Sequence, residues 1–324
     1  MNIGLDVGYS AVKAVSGPRR VTFPSVVGDV QRARFSLNGA RDGDIILTEP
    51  EPVLIGAGAI EQSRFLRRRE DRAWVHSDEW YYLALAAITE LTDATHAELV
   101  IVTGLPVSFY DDKDTPRARL LGEHKTARDG RRAQSFKVVD VRVIPQPFGA
   151  LLAASLDDRG RIRDQALATG AVGVIDVGGK TTNLLSVNRL SEISKETASV
   201  NVGAWDVARA VRVFLDAECP NLDLEDHEVM DAVQARQTKY YSKPVDLSAP
   251  IEAALAPMAE KVIAEATQLW NGAASLDVIL VTGGGALLLG PKLRDHFPHA
   301  RIVSEPLWAN ALGFWRFAQR LAGK

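Results

Sequence analysis

Two stretches of this chain bring a carboxylate, glycines and phosphate-seeking donors within a few residues of one another. The first, Asn2 to Lys13, carries Asp6, Gly8, Tyr9, Ser10 and Lys13. The second, Ala171 to Leu185, carries Asp176, Gly178, Gly179, Lys180 and Thr181. In each, an apolar run ends in Asp-Val-Gly and a second apolar run leaves. The pattern reads as a β-hairpin whose glycines let backbone N–H groups face a phosphate with no Cβ in the way. A carboxylate at the end of a strand can hold a hydrated Mg²⁺ or orient a water. Asp6 and Asp176 are therefore candidate catalytic residues, and candidate metal residues acting through water. Two such hairpins, about 170 residues apart, suggest two similar half-molecules gripping one polyphosphate. A third strand-to-glycine run, Asp277 to Gly285, ends in Gly283, Gly284 and Gly285.

The elements that must position these residues follow from periodicity and breakers. Residues 2–8 and Ala11 to Val15 read as paired strands, and Gly17-Pro18 breaks the run. Val21 to Ser25 resumes an extended segment, and Asp42 to Ile60 reads as short strands between Gly and Pro turns. Ser77 is placed to cap a helix from Asp78 to Leu91, whose Trp80, Leu83, Ala84 and Ile88 keep helical spacing. Leu99 to Pro106 and Phe136 to Ile144 read as strands. Pro145-Gln-Pro-Phe-Gly149 breaks the second, and a helix begins at Ala150. Asp157 to Gln165 is charged and turn-like. Beyond the second hairpin, Asn201 to Asp206 opens a helix through Leu215, and residues 222–244 are polar and mixed. Further helices are expected over about 250–270, Pro291–Phe297 and Pro306–Leu321, with a strand at Ala300–Val303.

A chain of 324 residues has room for about two domains and a large core. Its 46% hydrophobic and 24% charged content are those of an ordinary globular protein. A net charge of −3 gives no general attraction to DNA or to an anionic membrane, so direct nucleic-acid binding is not expected. The single cysteine, Cys219, excludes an intrachain disulfide and a multi-cysteine zinc site. The six histidines lack metal-ligand spacing. No signal peptide and no spanning helix is read, so a cytoplasmic location without membrane contact is expected. The run Ser63–Arg72 holds Arg64, Arg67, Arg68, Arg69 and Arg72, with Glu70 and Asp71 among them. It reads as a solvated face or as a subunit or partner contact.

The pieces stand in a telling order: Asp-Val-Gly hairpin, Pro-Gln-Pro-Phe-Gly connector, second Asp-Val-Gly hairpin, Gly-Gly-Gly turn, terminal helix. This order resembles the actin, Hsp70 and sugar-kinase superfamily over essentially the whole chain. The resemblance implies an α/β actin-like ATPase fold of two RNase H-like domains with a nucleotide cleft between them. Residues 1–155, completed by the C-terminal helix 306–324, would form the first domain, with about 28–75 as a small outer subdomain. Residues 156–305 would form the second, with about 195–270 outermost. By the same resemblance Asp6 and Asp176 position a hydrated metal and the attacking water, and Lys13 reaches the β- and γ-phosphates. Gly8, Tyr9 and Ser10 face Gly178, Gly179, Lys180 and Thr181 across the phosphates. Gln146 orients the hydrolytic water; as a poor base it implies slow hydrolysis. Gly283, Gly284 and Gly285 receive adenosine, and Gly203 and Asp206 begin a helix facing the nucleoside. Read instead as a dinucleotide-binding turn, the three glycines would need a further glycine where Leu288 stands.

Phe23-Pro-Ser25 and Val102 to Val107 further resemble the plasmid-segregation actins of the ParM/StbA type and their archaeal cousins. That likeness implies binding of ATP/ADP with Mg²⁺, ATP hydrolysis, and self-assembly into filaments for DNA segregation or intracellular positioning. A DNA-binding adaptor protein would be a partner. The polymer contacts would fall at residues 28–75 and 222–245. A non-polymerising small-molecule kinase of the same fold, and a non-filamentous ATP-binding adaptor or scaffold, are the alternatives.

Overall fold

The computed structural model describes residues 1–31, 45–69 and 71–323; part of the stretch expected as short strands, and of the 28–75 subdomain, lies outside them. The chain forms two compact units, Met1–Gln165 with Trp308–Lys324, and Ala166–Leu307.

In the first unit, strand Asn2–Val7 turns back antiparallel on Ala11–Ser16, which pairs with Arg19–Pro24. On its other side Asn2–Val7 runs parallel to His96–Leu105, which runs parallel to Gln134–Pro145. Gly122–Arg128, Ile45–Glu49, Val53–Ile55, Val27–Gly28 and Leu66–Arg67 continue the sheet to an edge. Alternation along Asn2–Val7 decides what each face can do. Ile3, Leu5 and Val7 are buried in one apolar cluster with helix Asp78–Leu91. Ser77 caps that helix by accepting from the Trp80 N–H at 3.2 Å, and Asp78 and Glu79 oppose the dipole of its first turn. Its Leu83, Leu85 and Ile88 are fully buried, each worth about 1.5–3 kcal/mol.

The opposite face carries Gly4 and Asp6. Helix Ala309–Ala322 lies so close to Gly4 that a Cβ there would stand 2.0 Å from the Ala311 carbonyl oxygen. The same helix meets Gly149, where a Cβ would fall 2.5 Å from Asn310 Cα. Backbone contact at two glycines explains how a C-terminal helix is built into the unit that begins the chain. The first unit also reaches further along the chain than residue 155. The 156–165 segment stays with it because Asp158 pairs with Arg316 at 2.6 Å, Arg320 donates to Gly160 O at 3.2 Å, and Arg163 donates to Ala154 O at 3.1 Å.

In the second unit, Ala171–Val177 pairs antiparallel with Thr182–Asn188 and runs parallel to Val278–Thr282, itself parallel to Ala300–Ile302. Helices Ala204–Glu218, Asp226–Ala235, Ser248–Leu269 and Ala286–His296 share one apolar cluster with this sheet. The expected outer part, 195–270, contributes three of these helices to that cluster. Helix Ala286–His296 starts five residues before the expected Pro291, which it carries inside. The polar 222–244 stretch holds a helix and one strand, Gln237–Tyr240, of a separate hairpin completed by Lys243–Asp246.

Candidate phosphate-binding site

In the first hairpin, Asp6 stands directly across from Lys13 at the end of its strand. Asp6 is only 4% exposed. Burial pushes its carboxyl above the usual range, and the Lys13 ammonium and a hydrogen bond from Gln146 pull it back. The turn Gly8–Ser10 is tied down by its carbonyls. Ser25 Oγ donates to Gly8 O at 2.6 Å, and the Ser25 N–H donates to Ser10 O at 3.0 Å. Trp74 Nε1 donates to Val7 O at 3.3 Å. Across a trans peptide the N–H points opposite to the C=O. Clamping the carbonyls of Gly8 and Ser10 therefore turns the N–H groups of Tyr9 and Ala11 the other way. The Tyr9 hydroxyl donates to Asp71 O at 3.1 Å, so its ring is anchored on the clamped side.

Gln146 follows strand Gln134–Pro145, and its N–H donates to Leu105 O at 2.7 Å. Its Nε2 donates to Asp6 Oδ1 at 2.8 Å. An ionised carboxylate only accepts, so it selects the amide orientation with NH₂ toward Asp6 and leaves Oε1 as an acceptor for another donor. Gly104 permits this approach, since a Cβ there would stand 3.0 Å from Gln146 Cα.

The second hairpin repeats the device with a helix as the clamp. The Ala204 N–H donates to Gly178 O at 2.9 Å and the Trp205 N–H to Gly179 O at 2.8 Å. These are first-turn amides of helix Ala204–Glu218, which have no partner within the helix. The N–H groups of Gly179 and Lys180 consequently point away from that helix. Gly203 is required by the close approach: a Cβ would lie 2.3 Å from Gly179 O. Asp206 lies in the first turn of this helix. Its Oδ2 accepts from the Gly203 N–H at 2.8 Å and its Oδ1 from Arg209 at 2.6 Å, which secures the helix start.

Asp176 is 3% exposed and lies in register with Thr282, the residue before the three glycines. Gly283 has φ of +90°, and a Cβ on it would fall 2.4 Å from Asp176 Oδ1. Gly285 packs on Val177, whose carbonyl accepts its N–H at 2.9 Å. Gly284 differs: it is exposed, and a Cβ there would meet only Leu307 Cδ1, at 3.8 Å. Two of the glycines thus seat the turn against Asp176 and Val177, and the third faces outward.

The donor set suits a polyphosphate with a hydrated cation. Each turn aims backbone N–H groups outward and has a carboxylate at its base. Among the described residues no three His, Cys, Asp or Glu side chains cluster to hold a metal. A site of one or two carboxylates completed by waters and phosphate oxygens is the manner in which Mg²⁺ is ordinarily held. The residues that sequence reasoning missed are the clamps, Ser25 and Trp74. The signal for Ser25 was present in Phe23-Pro-Ser25, but its partners lie in another strand turn.

Comparison with known proteins matches residues 4–149 to the family described as actin like proteins, N terminal domain. Residues 174–295 match the family described as archaeal actin homologue MreB-like, C-terminal. An archaeal actin homolog of Thermoplasma acidophilum is 25% identical over 331 residues, covering 98% of both chains. The crystal structure of an archaeal actin homolog in complex with ADP superposes with a TM-score of 0.81 at 22% identity, over 98% of this chain and 99% of that one. A 15-stranded ParM filament from Clostridium botulinum gives a TM-score of 0.78 at 21% identity, again over 98% and 99%.

Proposed function

Because this chain is an actin-like protein, we propose that it binds ATP through its two hairpin turns, hydrolyses it with Mg²⁺, and assembles into filaments. The observation that carries the reading is the hydrogen bond between Gln146 and Asp6, 2.8 Å long, beside a turn whose N–H groups are directed outward. Bound Mg²⁺ supplies charge neutralisation on the phosphates, and Asp6 and Asp176 are the groups that would hold it through water. The N–H groups of Tyr9, Gly179 and Lys180 bind phosphate oxygens, and Lys13 adds a point charge. Gln146, its NH₂ engaged by Asp6, offers Oε1 to a water and orients it. An amide accepts no proton at neutral pH, so the water is aligned without a base and turnover is slow. Gly284, outward and without a side chain, is the surface for the nucleoside.

Two structural neighbours support the rest: one is in complex with ADP, and one is a filament. A head-to-tail contact between unlike surfaces propagates unless rotation closes it. Filaments of this kind would serve DNA segregation or positioning inside the cell, with a DNA-binding adaptor as the link to cargo.

The test is light scattering and pelleting over a protein concentration series with Mg-ATP, Mg-ADP and no nucleotide. Scattering above a critical concentration with ATP, decaying as phosphate is released, is the expected result. A flat trace with clear ATP binding would overturn the filament reading in favour of a small-molecule kinase or an ATP-binding adaptor, separated by an acceptor screen.

A further inference from the structure

Between strands His96–Leu105 and Gly122–Arg128 the chain leaves the sheet as a short 3-10 turn, Val107–Asp112, and a helix, Asp114–Leu120. Among the described residues of this excursion Pro116 and Leu120 alone are buried. With so little apolar contact, the excursion is fixed chiefly by polar bonds. The destination of those bonds indicates its use.

They grip one neighbouring segment, Arg72–His76, at both ends. At its start, Arg72 donates Nε and Nη2 to the two carboxylate oxygens of Asp112 at 2.7 and 2.9 Å. The same guanidinium lies over the Phe109 ring, 5.9 Å from its centroid. At the far end, Arg119 donates Nη1 to His76 O and Nη2 to Asp78 Oδ1. The excursion is itself moored to the sheet. The Tyr110 hydroxyl donates to Val143 O at 3.2 Å, on the strand that leads into Gln146. A planar fork meeting a carboxylate with two bonds admits one orientation, so Arg72 sets the direction of its segment as well as its distance.

The gripped segment carries the holders of the first phosphate turn. Asp71, the neighbour of Arg72, accepts from the Tyr9 hydroxyl through its carbonyl at 3.1 Å. Trp74 Nε1 donates to Val7 O at 3.3 Å, and the Tyr9 and Trp74 ring centroids are 6.2 Å apart. Val7 and Tyr9 flank Gly8, so both sides of the turn are referred to Asp71–Trp74, and through Arg72 to Asp112.

We infer that Arg72 and Asp112 are positioning residues for the phosphate turn: their pair holds Asp71–Trp74 where it sets Tyr9, and with it the N–H that meets phosphate. The inference rests on the reading that this turn binds ATP, and adds a control lying outside the turn. A pair that merely supported the fold would act on every ligand alike. This one acts on the phosphate side, because the nucleoside surface at Gly284 belongs to the second unit.

The test is isothermal titration of the full chain with Mg-ATP and with adenosine. Arg72→Gln and Asp112→Asn should each weaken ATP binding by about fivefold, the upper end for an ion pair that touches solvent, with adenosine affinity unchanged. The double variant should be no worse than either single one, since all three lose the same bond. Wild-type ATP affinity in both single variants would overturn the inference and leave the ATP reading standing. Equal losses for ATP and adenosine, or losses that add in the double variant, would also overturn it. Wild-type protein that binds no ATP would overturn both.

Discussion

Gln146 donates its side-chain N–H to Asp6 across 2.8 Å and 140 residues of sequence, and this bond orients both groups. Asp6 alone is a buried acid, and Gln146 alone is an amide between two prolines. Joined, they form a unit in which the carboxylate's charge dictates which end of the amide faces outward.

Gln146→Ala should slow phosphate release by about 100-fold, the scale of losing one positioned group, while ATP affinity changes little. Single-turnover hydrolysis and equilibrium nucleotide binding on the same preparation check the split. If filaments form, they should persist longer in this variant. Unchanged phosphate release would remove Gln146 from the mechanism.

The Asp6 carboxyl is pushed above its ordinary value by burial, against the pull of Lys13 and Gln146. The sign follows from linkage. Between the unfolded and folded values the native state binds more protons, so stability falls as pH rises through that window. Above it Asp6 is a standing cost to the fold. Asp6→Asn should therefore be more stable than wild type at pH 7. The gap should close as pH is lowered toward the ordinary carboxyl range, and the variant should not hydrolyse ATP. Urea melts of nucleotide-free protein at several pH values, beside a phosphate assay, provide the check. A destabilised, still active variant would refute this account of Asp6.

The three glycines after strand Val278–Thr282 should respond unequally. Gly283→Ala forces a side chain into φ of +90° and sets its Cβ 2.4 Å from Asp176 Oδ1. Left-handed strain and overpacking together should cost about 2–4 kcal/mol and displace the carboxylate. Gly284→Ala meets only Leu307 Cδ1 at 3.8 Å and should alter stability by less than about 0.5 kcal/mol. Its effect should fall on nucleotide affinity instead. Thermal melts and nucleotide titration of the two variants distinguish a seating glycine from a facing one.

Much of this was legible beforehand because the informative residues are punctuated. The hairpins carry Asp-Val-Gly, helix Asp78–Leu91 carries a serine cap, and the strands around them are apolar. What was not legible lacks such punctuation. Helix Asp226–Ala235 buries only Val229, Ala232 and Val233, a stripe too slight to stand out in polar sequence. The hairpin after it turns on Tyr241 and Ser242 at φ of +46° and +64°, where Asn-Gly would have announced a turn. Asp206 is expected at a helix start facing the nucleoside from the family resemblance alone. Its bond to the Gly203 N–H, which secures that helix start, carries no local signal separating it from a ligand contact. The clamps on the turns are invisible to any local pattern because each joins a turn to another part of the chain.

Ser25 provides the sharpest test of the clamps. Its hydroxyl is buried, 1% exposed, and its one described bond is the 2.6 Å donation to Gly8 O. Ser25→Ala keeps the backbone N–H that binds Ser10 O at 3.0 Å but frees the Gly8 carbonyl. A lost hydrogen bond of this kind costs about 0.5–1.5 kcal/mol of stability. The functional effect should be distinct from that loss. With Gly8 O released, the peptide between Gly8 and Tyr9 can rotate, and the Tyr9 N–H no longer has a set direction. Affinity for ATP should then fall by about tenfold, equivalent to about 1.4 kcal/mol. Because the clamp acts on a group that meets phosphate and not on the nucleoside, affinity for adenosine itself should be unchanged. Ser25→Thr, which retains the donor, should restore most of the ATP affinity if the added methyl is accommodated. Isothermal titration of the three proteins with ATP and adenosine reads both effects. Equal losses for the two ligands would mean that Ser25 supports the fold in general and does not direct the turn.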